Sequence, residues 1–142
     1  MNSSLVCVDA SIIVDRVLGI DDVLLQAQWD SWINGETQLI APHLIYYEVT
    51  NVIYQIGKKG QLAVATTAEA LQLLIALPIK TYTALTIHDD ALTLARELGI
   101  GATYDAHYLA LAKQLDCDFW TRDAKLAQAA QPKYGWVRLL IN

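Results

Sequence analysis

Leu5-Val6-Cys7-Val8-Asp9-Ala10-Ser11 is four apolar residues of strand type running into a carboxylate, a small residue and a hydroxyl. A short apolar run without polar alternation is the pattern of a strand covered on both faces in a parallel sheet. Asp9 then lies at the carboxyl end of that strand, the edge where open α/β sheets bind their ligands. Two roles are open to it: a cap for the helix that follows, shared with Ser11, or a member of a site on the sheet edge.

Working outward, residues 11–18 read as a short helix with Ile12, Ile13 and Val17 inward, ended by Gly19. Asp21 and Asp22 open a second helix, where acids favour the dipole and need no catalytic explanation. Its Trp29 and Trp32 are assigned to the core. Residues 37–41 form a second strand before Pro42, and residues 43–59 a helix striped by Ile45, Val49, Val52, Ile53 and Ile56. Glu48 falls at the margin of that stripe, so it either snorkels to water or finds a partner inside.

Residues 62–77 give another helix, with Ala65, Leu71, Leu74 and Ile75 available for packing, and Pro78 stops it before a third strand at 79–82. His88-Asp89-Asp90 precedes a helix ending at Gly99; with no second His or Cys at ligand spacing, His88 reads as a cap or surface residue. Residues 103–112 start a helix with Asp105 in its first turn. A fourth strand ends at Thr121, and Asp123 repeats the pattern of Asp9 as an acid delivered by an apolar strand. Residues 136–140 make the last strand, and Asp116 and Asp118 are read as turn residues.

The 142 residues fit one domain with a sizeable core, 54% of them hydrophobic. Cys7 and Cys117 sit beside apolar runs in no metal-ligand spacing and read as buried free thiols. No apolar run approaches the roughly 18 residues of a membrane span, so the expectation is a soluble, cytoplasmic protein. The net charge of −5 argues against a broad phosphate-binding surface, unless the acids are gathered in a pocket that holds cations. There is no glycine-rich loop of the kinds that cradle nucleotide phosphates.

Strands alternating with helices predict a mainly parallel sheet. If the first and fourth strands are neighbours, Asp9 and Asp123 face one another across the switch-point crevice, Asp105 lies on the same edge, and Glu48 can reach it from its helix. Carboxylates converging without a basic partner must take up protons or bind cations. Hard divalent ions suit such oxygen donors, and the chemistry they support is metal-assisted phosphodiester hydrolysis.

Val8-Asp9-Ala10-Ser11, Glu48 followed by Val49 and Asn51, the run from Tyr104 to Ala112, and Thr121-Arg122-Asp123-Ala124-Lys125-Leu126 together resemble the acidic motifs of PIN domains, in particular VapC-type toxin ribonucleases. The resemblance covers essentially the whole chain in motif order and spacing. It implies a single PIN-like domain over 1–142, a three-layer α/β sandwich on a five-stranded sheet ordered 3-2-1-4-5. It also implies a Mg²⁺- or Mn²⁺-dependent endoribonuclease, an RNA substrate, a homodimer, and inhibition by a small antitoxin encoded beside it. Asp9, Glu48, Asp105 and Asp123 match the family's acidic quartet, as catalytic and metal-binding residues; Ser11 and Thr121 match its supporting polar positions. Asp9 and Asp123 are assigned as direct metal ligands, Glu48 and Asp105 as acting through bound water or at a second site. Three rivals stand beside this reading. A haloacid-dehalogenase-like phosphatase wants a second Asp where Ser11 stands. A PIN-like module could bind RNA or protein without cleaving, and a simple metal-binding protein has nothing specific to support it.

Overall fold

A computed structural model describes residues 4–141. Five parallel strands, β1 (Leu5–Val8), β2 (Gln38–Pro42), β3 (Ile79–Tyr82), β4 (Asp118–Thr121) and β5 (Val137–Leu139), form one sheet in the order β3-β2-β1-β4-β5. The chain steps from β1 outward to β3, then crosses back to β4 on the other side of β1. The strand order therefore reverses between β1 and β4, whose register pairs Val6 with Asp118 and Val8 with Trp120.

Seven helices connect the strands: α1 (Ala10–Val17), α2 (Val23–Asn34), α3 (Leu44–Lys58), α4 (Val64–Ala76), α5 (Ile87–Leu98), α6 (Tyr104–Gln114) and α7 (Ala124–Ala130). Right-handed crossovers put the helices of the outward steps on one face and those of the return on the other. In keeping with this, α1 packs on α3 and α4, while α5 packs on α6, which lies against β1 and β2. Strands covered on both faces bury Val6, Cys7 and Val8, Leu39 to Ala41, and Phe119, which explains their unbroken apolar sequence.

Trp29 and Trp32 are core residues, and with Trp120 they make a chain of edge-to-face contacts that fixes α2 against β4. Both cysteines are buried and free. Helix α5 ends where Gly99 turns left-handed at φ 64°, a conformation that only glycine enters without strain. Helix α4 departs from expectation: it starts at Val64, and Ala65 and Ile75 face solvent while Ala70 and Leu74 are buried. Its contacts are with α3 and α1, and Ala70, Leu74 and half-buried Leu71 make a stripe narrower than periodicity suggests.

Candidate active site

Asp9 leaves β1 with φ −93° and ψ 178°, the extended geometry of a helix cap. Its Oδ1 accepts from the backbone N–H groups of Ser11 (3.1 Å) and Ile12 (3.4 Å) and from the Ser11 hydroxyl (2.5 Å). Its Oδ2 accepts from the Thr121 hydroxyl at 2.5 Å. Asp9 is thus both a cap and an acid fixed at the sheet edge. It is 5% exposed, and burial raises its pKa to about 7 against the opposing hydrogen bonds from Ser11, Thr121 and Ile12, with Asp105 adding a smaller push upward.

Thr121, fully buried at the end of β4, also accepts the backbone N–H of Asp123 at 3.0 Å. One hydroxyl therefore ties the two acid-bearing strand ends together. Ser11 and Thr121 oxygens lie 3.4 Å apart, but each spends its only proton on Asp9. Ser11 in turn accepts the backbone N–H of Arg122 at 2.8 Å. Exposed Asp123 caps α7 by accepting from Lys125 and Leu126 N–H groups at 3.0 and 3.1 Å.

The Arg122 guanidinium, between Thr121 and Asp123 in sequence, serves other acids. It donates to Asp15 at 2.7 Å, to Asp22 at 2.6 Å and to the Leu140 carbonyl at 3.0 Å, joining α1, the start of α2 and the end of the sheet. Its hydrogen bond holds the Asp22 carboxyl below the usual carboxylate range. Asp22 itself also caps α2, through Leu24 and Leu25 N–H groups.

Helix α6 carries Asp105 in its first turn and α3 carries Glu48. Glu48 accepts a 2.6 Å hydrogen bond from Tyr108, a fully buried tyrosine one turn along α6 from Asp105. Half-burial pushes the Glu48 pKa up, Tyr108 restrains it, Asp105 adds to the rise and His107 opposes it. Asp105 is raised by burial and then by Asp123. Asp105 therefore acts on Asp9 and Glu48 and is acted on by Asp123, which makes it the electrostatic meeting point of the four acids. Among the described residues none of the four is ion-paired to Lys or Arg.

The family model described as PIN domain matches residues 7–133, a span that includes all four acids. The chain belongs to the PIN domain family. It is similar to VapC ribonuclease Mb0985 of Mycobacterium bovis, 28% identical over 120 residues that make up 84% of this chain and 91% of that protein. Ribonuclease VapC9 of Mycobacterium tuberculosis aligns with the same identity and coverage. The crystal structure of PAE2754 from Pyrobaculum aerophilum shares the fold, with a TM-score of 0.67 at 23% identity over 91% of this chain and 87% of that one.

In this PIN domain the sequence-level picture of Asp9 facing Asp123 becomes a linkage through Thr121, with Asp105 coupled to both. Tyr108 is a partner the sequence reading did not single out; its place three residues after Asp105, on the same helical face, was the available signal. His88 is a surface residue, as the sequence suggests, but it has a partner. Its Nδ1 lies 2.9 Å from Nε2 of His107, because α5 and α6 pack side by side and bring together residues distant in sequence. Asp118 is likewise more than a turn residue, since it begins β4 and pairs with Arg138 at 3.3 Å.

Among the described residues no three His, Cys, Asp or Glu side chains are drawn together tightly enough to form a ready metal cage. The donors at this edge are nonetheless carboxylate oxygens, with partly desolvated acids that repel one another. Mg²⁺ takes such donors one or two at a time and keeps several waters, so the residues present fit a hard divalent cation without a preassembled cage.

Proposed function

We propose that this PIN domain is a metal-dependent endoribonuclease, the toxin of a type II toxin-antitoxin pair, and that Asp9, Glu48, Asp105 and Asp123 carry its catalysis. The observation behind this reading is the gathering of acids at the strand-order reversal, where burial and mutual repulsion raise three carboxyl pKa values and no Lys or Arg among the described residues relieves them. The names of the relatives point the same way, since they are called ribonucleases.

Asp9 and Asp123 are the direct ligands in this reading, and Glu48 and Asp105 act through bound water or at a second position. A Mg²⁺ or Mn²⁺ ion held there supplies charge neutralisation and activation of water for phosphodiester hydrolysis. Ser11 and Thr121 fix both oxygens of Asp9, so that acid stays aimed without rotamer freedom. Tyr108 orients Glu48 in the same way. The expected partners are RNA, a small cognate antitoxin and a second copy of the chain, in the cytoplasm.

The decisive experiment is cleavage of a mixed pool of structured RNAs by the purified protein, with Mg²⁺ or Mn²⁺ and with chelator, beside Asp9→Asn. Discrete cuts that need metal and vanish in the variant are expected. A folded wild type that binds metal, leaves the RNA intact and does not arrest growth when induced in cells would overturn the reading in favour of a non-cleaving PIN module.

A further inference from the structure

All three histidines of the chain, His43, His88 and His107, line a single groove of about 490 Å³, together with Tyr82 and Tyr104. Pro42 and Tyr82 end β2 and β3, so the groove opens on the same carboxyl edge as the acids. Its volume falls within the roughly 300–1,000 Å³ of pockets that hold small organic groups. It adjoins the acidic site at two places. Leu44 lines it and Glu48 follows one turn later on α3; Tyr104 lines it and Asp105 is the next residue.

No Asp, Glu, Lys or Arg lines the groove. What it offers is ring faces and a small set of directed polar atoms. Tyr104 is 59% exposed at its mouth. The His88 and His107 rings stand edge to face, with centroids 5.0 Å apart. The Thr103 carbonyl lies 2.6 Å from His107 Nδ1, and a carbonyl only accepts, so that nitrogen carries a proton. His107 Nε2, 2.9 Å from His88 Nδ1, is then placed to accept from His88 Nδ1–H, the tautomer that leaves the lone pair of the exposed His88 ring on Nε2. His43 is held separately, by the Thr81 hydroxyl at 3.1 Å.

Exposed rings beside a fixed acceptor are the means by which proteins take an unstacked base: the π-face tolerates any base and the acceptor reads an edge N–H. From the ribonuclease reading, which sets the edge the substrate approaches, we infer that this groove is the subsite for a nucleobase flanking the scissile phosphate. The base stacks on Tyr104 and donates an edge N–H to His88 Nε2. His107 is a positioning residue that sets the His88 tautomer.

The test uses nuclease-resistant phosphorothioate RNA tetranucleotides with Mg²⁺, and the same oligomers made abasic at each position in turn, with binding followed by anisotropy. Removing the base at one position should weaken binding about tenfold, the usual size of a base-aromatic stacking effect. Tyr104→Ala and His88→Ala should each shrink that penalty, Tyr104→Phe should retain it, and Tyr54→Ala, exposed on α3 outside the groove, should leave it intact. Both alanine sites are exposed, and unchanged melting temperatures will show that the fold survives. Equal affinity for every abasic oligomer, a penalty that persists in both variants, or no binding at all would overturn the subsite. Base-dependent binding without cleavage of the corresponding ribo-oligomers would sink the nuclease reading alone, and Asp9-dependent cleavage without any base penalty would sink the subsite alone.

Discussion

The Thr121 hydroxyl donates to Oδ2 of Asp9 at 2.5 Å, from the end of β4 to the end of the neighbouring parallel strand β1, and accepts the backbone N–H of Asp123 at 3.0 Å. A buried side chain thereby sets the spacing of two acids 114 residues apart in sequence. Thr121→Val keeps the shape and removes both interactions. We expect a loss of about 1.5–3 kcal/mol, the range for a hydrogen bond to a charged group, measured by urea unfolding above neutral pH. Thr121→Ser should recover most of it. A valine variant as stable as the wild type would show that Asp9 is protonated, or otherwise satisfied, in the folded protein.

Asp9 gives the protein an unusual pH dependence. Its folded pKa of about 7 lies above the ordinary 3.8, so between those values the folded state binds more protons than the unfolded state and stability falls as pH rises. Glu48 and Asp105 are shifted in the same direction. The penalty from Asp9 is complete above about pH 7 and amounts to at most roughly 4 kcal/mol. Asp9→Asn should therefore melt higher than wild type near pH 8 without metal, keep less than half of that advantage near pH 5, and have no nuclease activity. Asp22, held below its normal pKa, acts oppositely: its contribution is present above the unfolded value and is lost as the solution becomes more acid. Melting temperature against pH for both proteins is the measurement.

Divalent cations should reverse the penalty. An ion bound only by the folded, deprotonated site stabilises by mass action, so Mg²⁺ should raise the wild-type melting temperature near pH 8 more than near pH 5.5. It should have little effect on Asp9→Asn at either pH. Identical shifts for the two proteins would place the bound metal elsewhere.

Tyr108→Phe removes the donor that restrains the Glu48 pKa, so Glu48 should ionise at higher pH and the acid limb of the cleavage profile should move upward. Stability should fall by about 1 kcal/mol, because a buried hydroxyl and its partner are both lost from the bond. A profile that drops uniformly without shifting would mean that Tyr108 serves packing alone.

Arg122→Met removes the cation shared by Asp15 and Asp22 while keeping the apolar stem. Its expected effect is a lower melting temperature and, through loss of the link from α1 and α2 to the sheet end, weaker cleavage at unchanged metal affinity. Metal titration beside kinetics checks this, since a parallel loss of metal binding would place Arg122 in the metal site's own support.

Strand type, helix order, the single core and the placement of Asp9 and Asp123 at strand ends were legible in the chain itself. Apolar runs, helical periodicity and glycine or proline punctuation are local properties, and strands buried on both faces cannot hide their composition. The acidic motifs were legible for the same reason, as short patterns tied to strand and helix starts. Leu71 and Leu74 were legible as the packing residues of α4, but local signals did not show that Ala70 is buried while Ala65 and Ile75 face solvent, because the width of a buried stripe depends on what lies opposite. Nor did they show that Asp105 is the meeting point of the acids, that Tyr108 holds Glu48, that Arg122 turns to Asp15 and Asp22, or that His88 finds His107. Those are through-space relationships between residues 18 to 107 positions apart, and electrostatic coupling and hydrogen bonding fall off with distance in space, which only the packed sheet and helices determine.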